Sequence, residues 1–186
     1  MKLSYHNLQI SSLSYNLRRP QRGILLRAIQ KTGKDNYMAI QWIGNVTAED
    51  TKDSIRKKIE KNFTFEESGS TLSYKGKLDD LHGFYDYSFY DSPPYHLRYV
   101  LFTVYLNTRE SADDAYKGLK EKYKKLYGAP AVEDFWLREE PIEKHVVHIG
   151  ETGWTDGTSR LIIMMEWDRH FKCYNVRVVT RHMKDA

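Results

Sequence analysis

Residues 99–130, YVLFTVYLNTRESADDAYKGLKEKYKKLYGAP, restrict the fold more than any other stretch of the chain. Tyr99–Leu106 is apolar at both odd and even positions, the pattern of a strand covered on both sides. Thr108 or Ser111 then supplies a side-chain oxygen able to cap a helix, and Asp113 and Asp114 favour the positive end of its dipole. Ala112, Ala115, Tyr116, Leu119, Tyr123, Leu126 and Tyr127 recur at helical spacing and predict one apolar stripe. Lys117, Lys120, Lys122 and Lys124 take the opposite side. Gly128 and Pro130 predict the stop, since glycine tolerates the terminal left-handed turn and proline cannot continue the helix.

The same plan is readable earlier. Gly23–Gly44 predicts a hairpin: Leu25, Arg27 and Ile29 alternate with Leu26, Ala28 and Gln30, Thr-Gly-Lys-Asp turns the chain, and Met38, Ile40 and Trp42 resume the alternation. Asn45 or Thr47 can cap a following helix with the stripe Ile55, Ile59 and Phe63. Tyr37–Phe63 and Tyr99–Gly128 therefore share an order of strand, Asn at the exit, acidic helix start and apolar stripe. Further strands are expected at Thr71–Lys77, Gly83–Tyr90 and His145–Ile149, with a hairpin of Arg160–Trp167 and Cys173–Arg181. Residues 129–142 predict a long connection. The expected fold is α+β in one domain, residues 1–186. Its antiparallel sheet is built from two hairpin-helix-strand units (about 23–78 and 83–182), with both helices on one face.

The ending YKKLYGAP, followed by Trp154 and an apolar strand, resembles bacterial tandem α/β-repeat proteins of the β-lactamase-inhibitor-protein-like shape, most of them of unknown function. The resemblance covers residues 99–180. It implies a tandem fold and a preference for protein ligands, and it transfers no functional residue.

A chain of 186 residues that is 40% hydrophobic can bury a substantial core, removing roughly 70% of its unfolded surface from water. Its single cysteine, Cys173, excludes an internal disulfide, so the core alone must hold it. No run reaches the roughly 18 apolar residues of a membrane span. The polar start MKLSYHNLQISSLSYNL lacks a signal-peptide core, which leaves a cytoplasmic protein or an exported one whose signal has been removed. The net charge of +4 is uneven. Residues 1–34 carry seven basic groups, Arg18, Arg19 and Arg22 among them, and no carboxylate, leaving 22 basic against 25 acidic residues elsewhere. A basic arm of this kind can meet an anionic partner or pack on its own acidic body.

No catalytic motif is present: there is no P-loop, G-x-G-x-x-G, H-E-x-x-H or G-x-S-x-G. His145 and His148, three apart in a strand, point to opposite faces and cannot share a metal. Cys173 lies at a strand start close to His170, where nothing in the sequence orients a base to activate the thiol. Asp79, Asp80, Glu139 and Glu140 are adjacent pairs in polar loops. The reading is accordingly non-enzymatic, with no catalytic residue, metal or cofactor. Tyr87, Arg98, Tyr99, Tyr105, Arg177 and Arg181 are expected to furnish an open Tyr/Arg-rich sheet face, with Asn175 beside the last two arginines. Tyrosine and arginine are enriched at binding hot spots, so a protein or other macromolecular ligand is the expected partner. The alternative is a nucleic-acid binder using Arg18, Arg19 and Arg22.

Overall fold

Eight strands form one antiparallel sheet in a computed structural model that describes residues 38–59, 64–134 and 145–183. All of these residues belong to one compact unit, Tyr37–Ala186. In chain order the elements are helix α1 (Lys52–Lys58), strands β1 (Glu66–Ser68), β2 (Thr71–Leu78), β3 (Leu81–Phe89) and β4 (Leu97–Leu106), helix α2 (Arg109–Tyr127), and strands β5 (Val132–Asp134), β6 (Val146–Thr155), β7 (Ser159–Asp168) and β8 (Cys173–His182). The sheet order is β1-β2-β3-β4-β8-β7-β6-β5. Each helix is thus followed in sequence by four strands, and the two groups of strands meet at β4 and β8. The fold is α+β, as the alternating patterns predict.

The tight connections follow from side chains that tolerate or stabilise turns. Asp79 takes a left-handed backbone (φ 53°) in the two-residue loop between β2 and β3, a conformation that aspartate enters more readily than most residues. Asp168 closes the β7–β8 turn by accepting the N–H groups of His170 and Phe171 at 2.8 and 3.0 Å. Gly83 lets β3 and β4 approach closely, because a Cβ there would lie 2.3 Å from the Thr103 carbonyl oxygen.

Helix α2 obeys its sequence signals. Thr108 is the N-cap, accepting the Ser111 N–H, and Gly128 ends the helix at φ 77°. Ala112, Tyr116, Leu119 and Tyr123 are buried, whereas Leu126 is exposed because it falls off the stripe that meets the sheet. The Tyr116 hydroxyl and Thr152 Oγ1 are 2.7 Å apart, and the Trp154 indole N–H reaches the Gly128 carbonyl at 3.0 Å. These bonds hold α2 against the face that also carries Tyr85, Phe102, Val178 and Ile163, which with Thr152 form one cross-strand row. That face is the core.

Several expectations change. Residues 23–37 of the expected hairpin lie outside the described residues, and Met38–Gly44 is irregular rather than a strand. Ile40 and Trp42 are nevertheless buried. The segment needs no strand neighbour because side chains accept its N–H groups: Ile40 donates to Asp156 (2.7 Å), Gln41 to Tyr127 (3.1 Å) and Ile43 to Thr180 (3.3 Å). The cap of α1 is Thr51, in a capping box with Ser54, rather than Asn45 or Thr47. Thr47 instead closes a turn with Asp50, whose N–H reaches the Thr47 carbonyl at 3.1 Å. Within the expected stripe Ile55 is fully buried and Ile59 half-buried; Phe63 lies outside the described residues. The expected connection 129–142 contains the short edge strand β5, and the strand expected at His145–Ile149 extends to Thr155.

Asp50 joins α1 to the sheet. Its carboxylate accepts the Thr47 N–H (2.7 Å), the Ser54 hydroxyl (2.7 Å) and Lys58 Nζ (2.6 Å), while its carbonyl accepts the Leu97 N–H at the start of β4 (2.9 Å). Burial by itself would raise this carboxyl, but the bonds from Lys58, Ser54 and Thr47 outweigh it and hold it below the usual carboxylate range. A depressed native value gives stability that is whole above the unfolded value near 4 and is lost as pH falls through the native one. Asp50→Asn is expected to cost about 1.5–3 kcal/mol at pH 7, with the gap to the parent closing below about pH 4 in denaturant titrations. On α2, Leu119→Ala is expected to cost about 2–5 kcal/mol and the exposed Lys117→Ala under about 0.5 kcal/mol, measured the same way.

Candidate functional site

The cross-strand register sorts the expected site residues into two groups. Successive side chains along a strand point to opposite faces, and directly paired residues share one. Tyr99 pairs with Arg181, Thr103 with Arg177 and Tyr105 with Asn175, so Tyr99, Tyr105, Arg177 and Arg181 occupy the face opposite the core. Asn175 joins them, as its position in the last strand predicts.

Tyr87 does not. It pairs with Leu72 and Val100 on the core face and is fully buried. The stretch GFYDYSFY places Tyr85 and Tyr87 inward, leaving Phe84, Asp86 and Ser88 outward. The rings of Tyr74, Tyr85 and Tyr87 stack with centroids 5.1–6.0 Å apart, and burial pushes the Tyr87 hydroxyl far above its usual range. Arg98 is exposed at the irregularity where Ser88 pairs with Tyr99 and Phe89 with Leu97. It stands outside the regular alternation that aligns the other four. Arg18, Arg19 and Arg22 lie outside the described residues.

The second face holds a charge network that the sequence pattern did not single out. Arg177 Nη1 lies 3.0 Å from Glu166 Oε2, and Arg160 Nη2 lies 3.2 Å from Glu151 Oε1. His148 stands between the two carboxylates, with Nδ1 3.8 Å from Glu166 and Nε2 3.9 Å from Glu151. Glu166 is only 2% exposed and His148 only 6%, so these groups are withdrawn from solvent. A bulge between His148 and Gly150 makes the arrangement possible, since it places His148 and Glu151, three residues apart, on the same face. Gly150 was the one local hint. Asp86 adds a third carboxylate; burial raises it above its usual value against the pull of the Ser73 hydroxyl and the Arg177 charge.

Both outer carboxylates are committed to arginines. The Cys173 thiol is buried, and burial followed by the Asp168 charge raises it against the influence of Arg177, which suppresses the nucleophilic thiolate. His145 is exposed with its ring 5.8 Å from that of His170, separate from the buried His148. Among the described residues no three His, Cys, Asp or Glu side chains converge on a metal position, and no helix is long and apolar enough to cross a membrane.

The most exposed part of this face lies at the end where β2 turns into β3. Phe84 and Tyr105 are 43% and 51% exposed, with rings 6.0 Å apart and 70° from coplanar. Lys75 pairs with Phe84, and Lys77 pairs with His82; all three of Lys75, Lys77 and His82 are exposed. No protein-family model matches the chain, and neither a curated protein nor a solved structure proves similar to it.

Removing one member of the buried pair tests the network. Arg177→Met leaves the Glu166 carboxylate buried without its cation and is expected to cost about 3–5 kcal/mol at neutral pH. Adding Glu166→Gln should restore most of the stability, as followed by thermal and urea unfolding.

Proposed function

We propose that the protein is a non-enzymatic binding module whose second sheet face, bearing Tyr99, Tyr105, Arg177 and Arg181, docks a macromolecular ligand. The observation that carries this reading is the shared register of those four side chains on the face opposite α2. Both helices lie on the core side in this reading, and Ile55 of α1 belongs to the same buried cluster as Leu119 and Tyr123. The tandem plan takes the form of a helix followed by a four-strand meander, used twice, in keeping with the repeat-protein resemblance. The charge network beneath the face fixes arginine geometry, and a held guanidinium loses less entropy on engaging a partner.

Photo-crosslinking from position 105 tests the proposal. A benzophenone side chain replacing Tyr105 in the full chain, expressed in cells, is expected to give an adduct that Tyr99→Ala combined with Arg181→Ala reduces about tenfold or more. The same label at Lys117, on the outer side of α2, should give none. Equal labelling from both positions, or no adduct from position 105, would remove the second face as the binding surface.

A further inference from the structure

The corner of the second face at the β2–β3 turn differs from the rest of that face. Its outward side chains are Lys75 and Lys77 on β2, His82 and Phe84 on β3, and Tyr105 on β4, and every one of them is exposed. The carboxylates of the face are elsewhere or committed: Glu166 and Glu151 pair with arginines, and the half-buried Asp86 is bonded to Ser73. Asp79, in the adjoining turn, is held by Lys122 of α2 at 2.7 Å. Among the described residues no carboxylate forms an ion pair with Lys75 or Lys77; Asp80 in the adjoining turn is exposed and offsets part of their charge, so this corner presents two unpaired lysines beside two exposed rings.

Resting on the reading of this face as the binding surface, we infer that the corner takes single-stranded nucleic acid. Phe84 and Tyr105 meet nearly edge to face. They make a right-angled pair of walls, in which a planar base can stack on one ring with its edge against the other. Lys75 and Lys77 are two residues apart on one strand, hence about 7 Å apart, comparable to the separation of consecutive phosphates on an extended strand. Both lysines lie on β2, to one side of the rings on β3 and β4, so a backbone lying along β2 could reach them while its base stacks on the rings. Lysines on outer strands also discourage edge-to-edge pairing, and β1 covers only Thr71–Ser73 of β2. That protective role calls for the charges but not for two exposed rings and a histidine on the neighbouring strands. An acidic protein segment would use the charges without needing a flat ring-stacking corner.

The test is fluorescence anisotropy of the purified full chain with a fluorescein-labelled twelve-nucleotide oligothymidine. Micromolar binding is expected at 50 mM salt, weakening linearly in a log-log plot against salt. Lys75→Gln with Lys77→Gln should flatten that slope by about 1.4, at roughly 0.7 per phosphate contact. Phe84→Ala and Tyr105→Ala should each weaken binding between about fivefold and 150-fold with the slope nearly unchanged. Phe84→Leu and Tyr105→Leu keep apolar bulk and check that the loss is of stacking rather than of fold, as verified by thermal melting. Absence of binding would overturn the inference. Binding lost with Arg18, Arg19 and Arg22→Ala but indifferent to the corner variants would overturn it too, as would an oligoglutamate peptide bound as tightly through the same residues. A protein adduct from position 105 without oligothymidine binding would retain the face as a docking surface and eliminate nucleic acid as its ligand.

Discussion

The sheet depends on one long-range ladder, the pairing of β4 with β8 from Tyr99–Arg181 to Leu106–Tyr174. The strands before it and after it join sequence neighbours: β1 to β4 run as one meander, and β5 to β8 as another. Among the described strands the β4–β8 ladder is the one that joins the two meanders, across more than sixty intervening residues. Closing a loop of that length carries an entropic cost that grows only slowly with length, so burial along the seam can offset it. Val100, Phe102 and Val104 meet Thr180, Val178 and Val176 on the core face, all deeply buried. Helix α2, which connects the halves in sequence, packs over the same seam and supplies Tyr116, Leu119 and Tyr123 to the core.

The second face is a consequence of that ladder. A one-residue slip of β8 against β4 would exchange Arg177 and Arg181 with Val176, Val178 and Thr180, which the core cannot accept. Burial of the valines therefore dictates where the arginines stand. Arg177 then meets Glu166 across the β7–β8 ladder, and the bulge in β6 brings His148 and Glu151 to the same side. Taking these charges out of water is costly, and the pairing of Arg177 with Glu166 and of Arg160 with Glu151 offsets part of that cost. Such a network adds little net stability compared with an apolar substitute. Its effect is to hold arginine and carboxylate groups in fixed positions under a face whose exposed rings and lysines lie to one side.

Elements governed by local chemistry were the most legible. The cap at Thr108, the glycine stop at Gly128 and the β7–β8 hairpin rest on side chains within a few residues of one another, and the structure repeats them nearly residue for residue. Two failures share a cause. Met38–Ile43 has strand alternation with Ile40 and Trp42 buried and Met38 exposed, but Asp156, Tyr127 and Thr180, all distant in sequence, bind its N–H groups in place of a ladder. Tyr87 is expected on the open face but is buried on the core face, because its stretch is aromatic on both sides and composition does not say which parity faces inward.

Periodicity by itself determined that the chain makes amphipathic strands and a strongly striped helix, because two-residue and four-residue spacings are written directly in the order of side chains. It also determined that Tyr99, Tyr105, Arg177 and Arg181 each lie in phase with their strand neighbours. The tertiary structure decided that β4 and β8 are neighbours, and so that those four residues share a face. It also decided that a bulge turns Glu151 beside His148 and that Phe84 stands next to Tyr105. Spacing within a strand carries no information about which distant strand lies alongside; that choice is made by the burial the whole sheet achieves in one register and loses in every other.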